Sequence, residues 1–214
     1  MSTGELQDME SRIIEAAKRV FVRKGYEATK MSDVALEVGI GRTAMHYYFR
    51  TKEMLFNAIF DQLINSLLPN VGMIIDEPTP CLEKIPKIVD RYMAVLEANP
   101  LLPIFVVNEF NRDPEHVYRA VLKDRERIRP MVRLQRLLLD EMDRGLLKRV
   151  PLVYVASTLV SLVVFPMLVR NPLTTIFMGG NSRKFDAFMG ERKAFVTDVM
   201  VGLLTPDEEQ KKEK

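Results

Sequence analysis

The order of apolar and polar residues near the N-terminus predicts three short helices in succession. In the first helix, apolar residues recur at the spacing of one helical face, at Ile13, Ile14, Ala17, Val20 and Phe21. Gly25 follows two cationic residues, a pattern typical of a helix end. The second helix has its apolar side at Val34, Ala35 and Val38, and Gly39 allows a sharp turn after it. This stretch therefore predicts a helix followed by a helix-turn-helix.

The third helix is predicted to bury one set of residues and to expose another. The inward set repeats the helical spacing at Ala44, Met45, Tyr48 and Phe49. The outward set is Arg42, Thr43, His46 and Tyr47. A tyrosine beside arginine, threonine and histidine is unusual for a face that meets only solvent, and these side chains can bind phosphate oxygens and base edges. A unit of this size has little room for a catalytic cleft, but it can present a helix to the DNA major groove.

Residues 12–55 resemble the DNA-binding domain of the TetR family of bacterial transcriptional regulators. The matching positions are Ala16, Phe21, Gly25, Tyr26, Thr29, Met31, Val34, Ala35, Gly39, Ile40, Tyr48, Phe49, Lys52, Glu53 and Leu55. They agree in order and spacing without gaps. Two positions depart from the family pattern. Gly41 stands where the family usually has a serine that caps the recognition helix, and His46 stands where its common tyrosine contacts the DNA backbone.

The resemblance implies DNA contacts for a defined set of residues. From the recognition helix, bases or nearby phosphates would be met by Arg42, Thr43, His46 and Tyr47. The DNA backbone would be met by Thr29, Ser32 and Lys52. Simpler interpretations stay open for some of them. Thr29 and Ser32 are natural helix caps, Lys52 also fits the first turn of a helix capped by Thr51, and His46 alone is typical of a surface histidine.

Charge also favours DNA binding at the N-terminal end. Residues 12–52 contain nine Lys or Arg and four Asp or Glu, whereas the 214-residue chain has a net charge of only +2. Because phosphate contacts supply most non-specific affinity for DNA, a basic end on a nearly neutral chain fits a regulator that binds and releases. A single cysteine, Cys81, allows no internal disulfide, and the N-terminus lacks a secretion-signal pattern. We therefore expect a cytoplasmic protein.

Beyond residue 50 nearly every segment has helical spacing, and no alternating strand pattern stands out. We expect an all-α protein with a three-helix DNA-binding domain at residues 1–52, a larger helical regulatory and dimerisation domain at 53–205, and a flexible tail at 206–214. Helices are predicted over residues 53–68, from Thr79-Pro80 to Asn99, over 101–111 and from 113 to about 144. Pro69 marks a break after the first of these, and a continuation of that helix into the following residues is left open. Pro130 predicts a kink or a break in the last of these.

Residues 150–169 contain no charged side chain, and a segment of this length could span a membrane. Pro151 and Pro166 near its ends, and a small polar stripe containing Ser157 and Ser161, favour a buried interface or core helix instead. The resemblance implies that two copies pair through helices near 151–169 and 185–203. The second helix has Phe188, Phe195, Val199 and Leu203 on one side. The alternative is that both helices belong only to the monomer core.

The resemblance also implies a small-molecule effector in the C-terminal domain. Candidate contacts for a fairly apolar effector are Tyr92, Phe105, Asn108, Met131, Gln135 and Phe165. Such residues on helices are more often plain core than pocket. His116, just after a helix start, is expected at the surface or in a cap.

These features favour a homodimeric, sequence-specific transcriptional regulator of the TetR type. It would act as a repressor on an inverted-repeat DNA operator, released by an effector. We expect no enzyme activity, cofactor or metal, because there are only two histidines and no nucleophile motif, phosphate loop or metal-ligand spacing. The departures at Gly41 and His46 leave open a helical scaffold or partner-binding protein that no longer reads an operator.

Overall fold

The computed structural model describes residues 3–122 and 125–207, and every regular element in these ranges is an α-helix, with no strand. The helices are α1 (Thr3–Ala28), α2 (Met31–Val38), α3 (Arg42–Tyr48), α4 (Lys52–Ile75), α5 (Cys81–Ala98), α6 (Leu102–Arg112), α7 (Pro114–Leu122), α8 (Arg125–Asp143), α9 (Leu152–Leu168), α10 (Arg170–Met178) and α11 (Ser182–Leu204). The predicted all-α class is confirmed. The predicted tail lies almost wholly outside the described residues.

The chain forms two compact units that are not contiguous in sequence. The first unit contains residues 1–65 and 99–124, and the second contains residues 66–98 and 125–214. This division differs from a single boundary after residue 52. The reason is that Leu102 and Phe105 of α6 and Val117 of α7 are buried in the same core as the N-terminal helices.

Aromatic side chains fill the centre of the first unit. Phe56 is fully buried, and its ring centroid lies 5.0 Å from that of Phe105 and 4.9 Å from that of Phe60. Phe21 and Tyr26 of α1 complete the group. The apolar face predicted for α1 is buried throughout, so this core fixes α1 beneath the shorter helices.

The second unit is built around α5, α8, α9 and α11. Its core contains apolar residues from each, including Val89, Leu138, Val163 and Val196. The long helix predicted after residue 113 is helical in its described parts, α7 and α8, and Pro130 lies inside α8 without ending it. The helix α10 was not predicted.

The boundaries of α4 and α5 differ from those predicted. α4 continues through Pro69 to Ile75 instead of ending near residue 68. α5 starts at Cys81, whose backbone N–H donates to the Glu141 carboxylate at 3.0 and 3.1 Å, whereas the Thr79 hydroxyl accepts a hydrogen bond from Lys84. The cap of α5 therefore comes from a distant glutamate.

Among the described residues, no single helix is long and apolar enough to cross a membrane, although two bent pairs of consecutive helices meet the same length and composition test.

Candidate nucleic-acid interface

The turn between α2 and α3 has the backbone geometry of a helix-turn-helix. Gly39 ends α2 in the left-handed conformation, with φ 81° and ψ 34°, which glycine adopts without steric cost. Its N–H donates to the carbonyls of Ala35 at 3.0 Å and Leu36 at 3.2 Å, and the Ile40 N–H donates to Ala35 at 3.0 Å. Gly41 is extended and forms the N-cap of α3. These bonds fix the direction in which α3 leaves the turn.

The α3 helix is anchored by two buried side chains and presents the rest outward. Met45 and Phe49 are buried in the core of the first unit. The predicted inward residue Ala44 is exposed, because a seven-residue helix turns only a narrow face to the core. The predicted outward residues Arg42 and Thr43 are exposed.

Two further outward residues complete the face of α3. Tyr47 is 71% exposed, and its ring lies edge-on to Tyr48 at 5.2 Å. His46 is half-buried. The exposed side chains of α3 thus combine a guanidinium, a hydroxyl and an aromatic ring, the groups that meet phosphates and base edges. We name Arg42, Thr43, His46 and Tyr47 the α3 outer face.

Two of the predicted backbone contacts already hold the end of α1. At Gly25 the chain leaves the helical conformation, with φ 78° and ψ 164°. Thr29 is only 3% exposed, and its hydroxyl donates to the Gly25 carbonyl at 2.7 Å. Lys52 Nζ donates to the carbonyls of Tyr26 at 2.8 Å and Glu27 at 3.2 Å. Both residues therefore have a structural role, and their contact with DNA stays a prediction.

Ser32, the third predicted backbone contact, is exposed in the first turn of α2. It does not cap this helix. The Asp33 carboxylate accepts the Lys30 backbone N–H at 2.9 Å, and this bond, followed by the Lys24 side chain, holds the pKa of Asp33 below its ordinary value. The Ser32 side chain is therefore not needed for the cap.

Ion pairs occupy all four acidic residues between positions 12 and 52. Glu15 pairs with Lys18 at 2.6 Å, Glu27 with Arg112 at 2.6 Å and Asp33 with Lys24 at 2.9 Å. Glu37 pairs with both Arg19 and Arg23, at 2.9 and 3.0 Å. Hydrogen bonds from Arg19 and then Arg23 lower the pKa of Glu37, so it stays charged near neutral pH.

Several cations near the helix-turn-helix have no such partner. Within residues 3–122 and 125–207, no carboxylate forms a salt bridge with Lys30, Arg42 or Arg50, and all three side chains are exposed. Lys30 and Arg50 were missed by the sequence reasoning. Lys30 directly precedes α2 and Arg50 lies shortly after α3, and this placement beside the helix-turn-helix could have identified both residues. The excess positive charge here is thus available to a polyanion.

Comparison with known proteins agrees with this geometry. Residues 13–59 match the family model described as bacterial regulatory proteins, tetR family. Residues 13–59 are thus similar to the DNA-binding domain of TetR-family regulators. It is 44% identical over 52 residues to YfiR of Bacillus subtilis, an uncharacterised HTH-type transcriptional regulator, a match that covers 24% of this chain and 25% of YfiR. It is 32% identical over 66 residues to IcaR of Staphylococcus aureus, the negative transcriptional regulator of the biofilm operon icaADBC, covering 29% and 36% of the two chains. The matches therefore span about a quarter to a third of these curated relatives.

The likeness to solved structures extends over most of the chain. The regulator FadR from Bacillus subtilis, in complex with stearoyl-CoA, aligns with a TM-score of 0.63 at 17% identity, covering 90% of this chain and 98% of FadR. At this identity the comparison shows a common fold. The predicted family is confirmed, and the described second unit corresponds in fold to the helical C-terminal domain of such regulators.

The six predicted effector contacts are divided between the two units. Phe105 and Asn108 belong to the first unit, where they line a groove of about 370 Å³ beside the kink in α1. The other four belong to the second unit. There Met131, Gln135 and Phe165 are exposed, and burial raises the pKa of the half-buried Tyr92.

A small apolar cavity of about 50 Å³ lies inside the second unit. Its lining residues are Cys81, Ile85, Ile88, Val89, Leu134, Leu138, Val155, Leu159, Met200 and Leu204. None of the six predicted contacts is among them. On α8 the prediction chose Met131 and Gln135, whereas the neighbouring Leu134 and Leu138 face inward. Burial, and then the nearby Glu141 carboxylate, raise the pKa of Cys81 to about 11, so its thiol is neutral near pH 7.

A buried charge cluster joins α6 and α7 to the end of α1 within the first unit. Glu109 is 3% exposed, accepts a hydrogen bond from Arg112 Nε at 2.9 Å, and lies 2.7 Å from His116 Nδ1. The Arg112 guanidinium lies 4.3 Å from the Tyr26 ring centroid. The expectation that His116 lies at the surface was wrong, because its ring is buried and stacks on Phe56, 4.3 Å between centroids. Its backbone N–H does take part in the cap of α7 and donates to Asp113 Oδ1 at 3.0 Å.

Proposed function

We propose that this TetR-family chain is a sequence-specific, DNA-binding transcriptional regulator that reads DNA through the α3 outer face. The observation that carries the proposal is the exposure of Arg42, Thr43 and Tyr47 on a helix whose other side is anchored by Met45 and Phe49. In this arrangement α3 enters the major groove and its side chains meet base edges. Ser32, Lys52 and the exposed Lys30 and Arg50 contact phosphates, and Thr29 supports them from its buried position.

The proposed regulator is a homodimer on an inverted repeat. Support comes from large apolar side chains exposed on the outer sides of α9 and α11: Val153, Tyr154, Val160, Phe165 and Phe195. Exposed apolar side chains grouped in this way are typical of a protein–protein interface. The stripe predicted on α11 has the same character, because Phe188, Val199 and Leu203 are only half-buried. Two copies on a two-fold axis present two α3 helices to two half-sites.

Repression relieved by a fairly apolar effector completes the proposal. The relative IcaR is named a negative regulator, and the FadR structure holds stearoyl-CoA. In this chain the cavity of about 50 Å³ is lined by apolar side chains and by Cys81. Ligand pockets for drug-sized molecules enclose about 300–1,000 Å³, so an effector at this place must separate the surrounding helices. Such a ligand binds the two conformations with different affinity, which is the condition for coupling to DNA release.

Selection of bound duplexes from a random-sequence DNA pool tests the central claim. Purified protein at moderate salt is expected to enrich an inverted repeat, and the half-site spacing then gives the separation of the two α3 helices. The matched control is the Tyr47→Ala variant, which keeps the charge of the parent and should enrich that repeat far less. A folded parent that enriches no sequence, with or without a panel of apolar ligands, would instead favour the partner-binding alternative.

A further inference from the structure

Two cations from different helices of the first unit lie over one tyrosine ring at the end of α1. Lys52 Nζ, from the first residue of α4, is 4.3 Å from the Tyr26 ring centroid, and the guanidinium carbon of Arg112, from the last residue of α6, is also 4.3 Å from it. Burial, followed by the Glu53 carboxylate, raises the pKa of Tyr26, so the ring is neutral near pH 7. The face of a neutral aromatic ring attracts cations. Tyr26 therefore holds both cations at the end of α1.

The residue after Tyr26 also binds both cations. Lys52 Nζ donates to the carbonyls of Tyr26 at 2.8 Å and Glu27 at 3.2 Å, whereas Arg112 Nη1 donates to the Glu27 carboxylate at 2.6 Å. Lys52 thus holds the backbone of Glu27, and Arg112 holds its side chain. Among the described residues, no carboxylate forms a salt bridge with Lys52. A lysine ammonium has three N–H donors, so one donor and the full charge of Lys52 remain for a phosphate.

A buried carboxylate on α6 orients the Arg112 guanidinium. Arg112 Nε donates to Glu109 at 2.9 Å, and Arg112 Nη2 donates to the other oxygen of the same carboxylate and lies 3.1 Å from His116 Nδ1. Glu109 is only 3% exposed. A guanidinium that binds a carboxylate through two parallel bonds is fixed in direction as well as in place. Its remaining nitrogen, Nη1, is thus directed at Glu27, and Arg112 is engaged within the protein.

The charge of Glu27 lies close to that of Lys52. Within residues 3–122 and 125–207, Arg112 forms the salt bridge to Glu27 and no second cation does, although the Glu27 side chain is 73% exposed. Because Lys52 Nζ contacts the Glu27 carbonyl, the carboxylate of the same residue lies within about 10 Å of Nζ, the Debye length at 0.1 M salt. A Glu27 carboxylate without Arg112 would therefore offset the charge of Lys52 and repel a phosphate bound there.

We infer that Arg112 is a positioning residue for the contact between Lys52 and a DNA phosphate, because it neutralises Glu27 and packs on the ring over which Lys52 lies. The inference rests on the proposed function, in which Lys52 binds a phosphate, and adds a residue of α6 that sets the strength of this contact. Separation of Arg112 from Glu27 weakens DNA binding even when the α3 outer face is unchanged.

A double-mutant cycle between Arg112 and Glu27 tests the inference. Affinity for a duplex of arbitrary sequence is measured by fluorescence anisotropy in about 0.1 M salt, where charges about 10 Å apart still interact. Arg112→Met is expected to weaken binding about threefold to tenfold, because an exposed ion pair changes affinity a few-fold and a dimer contains two of them. In the Glu27→Gln background the same substitution should change affinity less than about twofold, since no carboxylate is released.

Two further measurements separate positioning from direct contact. Arg112→Met should leave the slope of log affinity against log salt as in the parent, because the number of phosphate contacts is unchanged. In the Lys52→Ala background, Arg112→Met should change affinity less than about twofold, since the contact that it supports is already absent.

Control variants address general charge and folding. Arg119→Met removes another exposed arginine of the first unit, one that donates to the Glu115 carbonyl at 3.3 Å, and should change affinity less than about twofold. Circular dichroism establishes that each variant is folded at the assay temperature. If Arg112→Met does not fold, Arg112→Lys replaces it, because lysine keeps a cation beside Glu109 but cannot bind two carboxylates as a fork. Glu27→Gln repairs no contact of Glu109, so a rescue by this substitution cannot come from restored folding.

The outcomes distinguish this inference from the proposed function. A folded parent that binds no duplex overturns DNA binding and the inference together. A parent that binds DNA, with an Arg112→Met variant of unchanged affinity, overturns the inference alone. The same conclusion follows if the loss persists in the Glu27→Gln background, or if the salt slope falls by about one unit, which would make Arg112 itself a phosphate contact.

Discussion

The outward side of α3 and the outward sides of α9 and α11 differ in chemistry although their inward sides are alike. Each helix is held by buried apolar residues, Met45 in α3, Val163 in α9 and Val196 in α11. The α3 outer face carries Arg42, Thr43 and the amphipathic Tyr47, whereas α9 has no charged residue and exposes mainly apolar side chains, including Val153, Val160 and Phe165. Water-exposed polar groups can exchange water for phosphates and base edges, while exposed apolar groups gain most from contact with another apolar surface.

This difference shows where the function of the molecule is specified. The inward residues determine which helices form and how they pack, and they would serve many regulators equally well. In our proposal the outward residues decide what is bound, a polyanion at α3 and a second copy of the chain at α9 and α11. Substitutions on the two sides should therefore change different measurable quantities, stability for inward residues and affinity for outward ones.

The largest effect is expected from the centre of the first unit. Phe56→Ala removes a fully buried ring that contacts four other aromatic side chains and His116, and should lower the free energy of unfolding by about 3–5 kcal/mol. Urea denaturation followed by circular dichroism measures the change. Tyr47→Ala removes an aromatic side chain of similar size from the α3 outer face and should change stability by less than about 0.5 kcal/mol. Equal losses in the two variants would contradict the distinction between inward and outward sides.

A charge on the exposed side of α9 should separate assembly from folding. Val160→Glu places a carboxylate on a half-exposed position, so the single chain keeps its stability. In the proposed dimer this carboxylate is buried without a partner, and dimerisation should weaken by about 2 kcal/mol or more. Sedimentation equilibrium measures the loss of dimer affinity, with Val160→Ala as an uncharged control at the same position. An unchanged dissociation constant would remove α9 from the interface.

At the α3 outer face, Tyr47→Ala should weaken binding to the selected operator by about 1–3 kcal/mol, because the ring and hydroxyl are lost from the groove. Binding to unrelated DNA should hardly change, since phosphate contacts remain. Fluorescence anisotropy with both duplexes at one salt concentration measures the difference. Parallel losses on both duplexes would make Tyr47 a backbone contact and move sequence reading to other residues of α3.

The sequence allowed the helix-turn-helix to be predicted because its contacts are local. Helical spacing identified the burial of Met45 and Phe49, and glycine identified the turn at position 39. In a seven-residue helix, however, the spacing could not decide whether Ala44 is inside, and the structure exposes it.

Contacts between distant residues could not be predicted in the same way. The burial of His116 depends on Phe56 and Glu109, which come from two other helices. The packing of α6 and α7 with the N-terminal helices also depends on residues that are distant in sequence. The periodicity within α6 shows that Phe105 is apolar-facing but not which of the two cores it is buried in. The same limit affected the effector contacts, because nothing within the sequence of α8 states that Leu134 and Leu138 line the cavity while Met131 and Gln135 do not.

Lys52 has an observed structural contact and a predicted DNA contact, so its replacement should change both stability and DNA affinity. Lys52→Ala should weaken binding to all DNA sequences and reduce the slope of log affinity against log salt by about one unit. It should also cost about 1 kcal/mol of stability, because Nζ holds the Tyr26 and Glu27 carbonyls. Arg50→Ala, which removes an exposed cation, should change only the slope. A stability loss in Lys52→Ala with an unchanged slope would restrict Lys52 to the fold.

The smallest expected effect concerns the start of α3. Gly41 has φ −72° and ψ 158°, and a Cβ added there meets no atom within 4 Å, so Gly41→Ser fits without strain. Its hydroxyl can accept a backbone N–H of the first turn, and stability should rise by a few tenths of a kcal/mol. The control Gly39→Ser should instead destabilise the protein by about 1 kcal/mol, because φ there is 81°. Thermal unfolding of both variants distinguishes the two glycines. A loss of stability in Gly41→Ser would mean that the start of α3 adopts another conformation. Because the α3 outer face begins at the next residue, operator affinity should rise or fall together with stability in this variant.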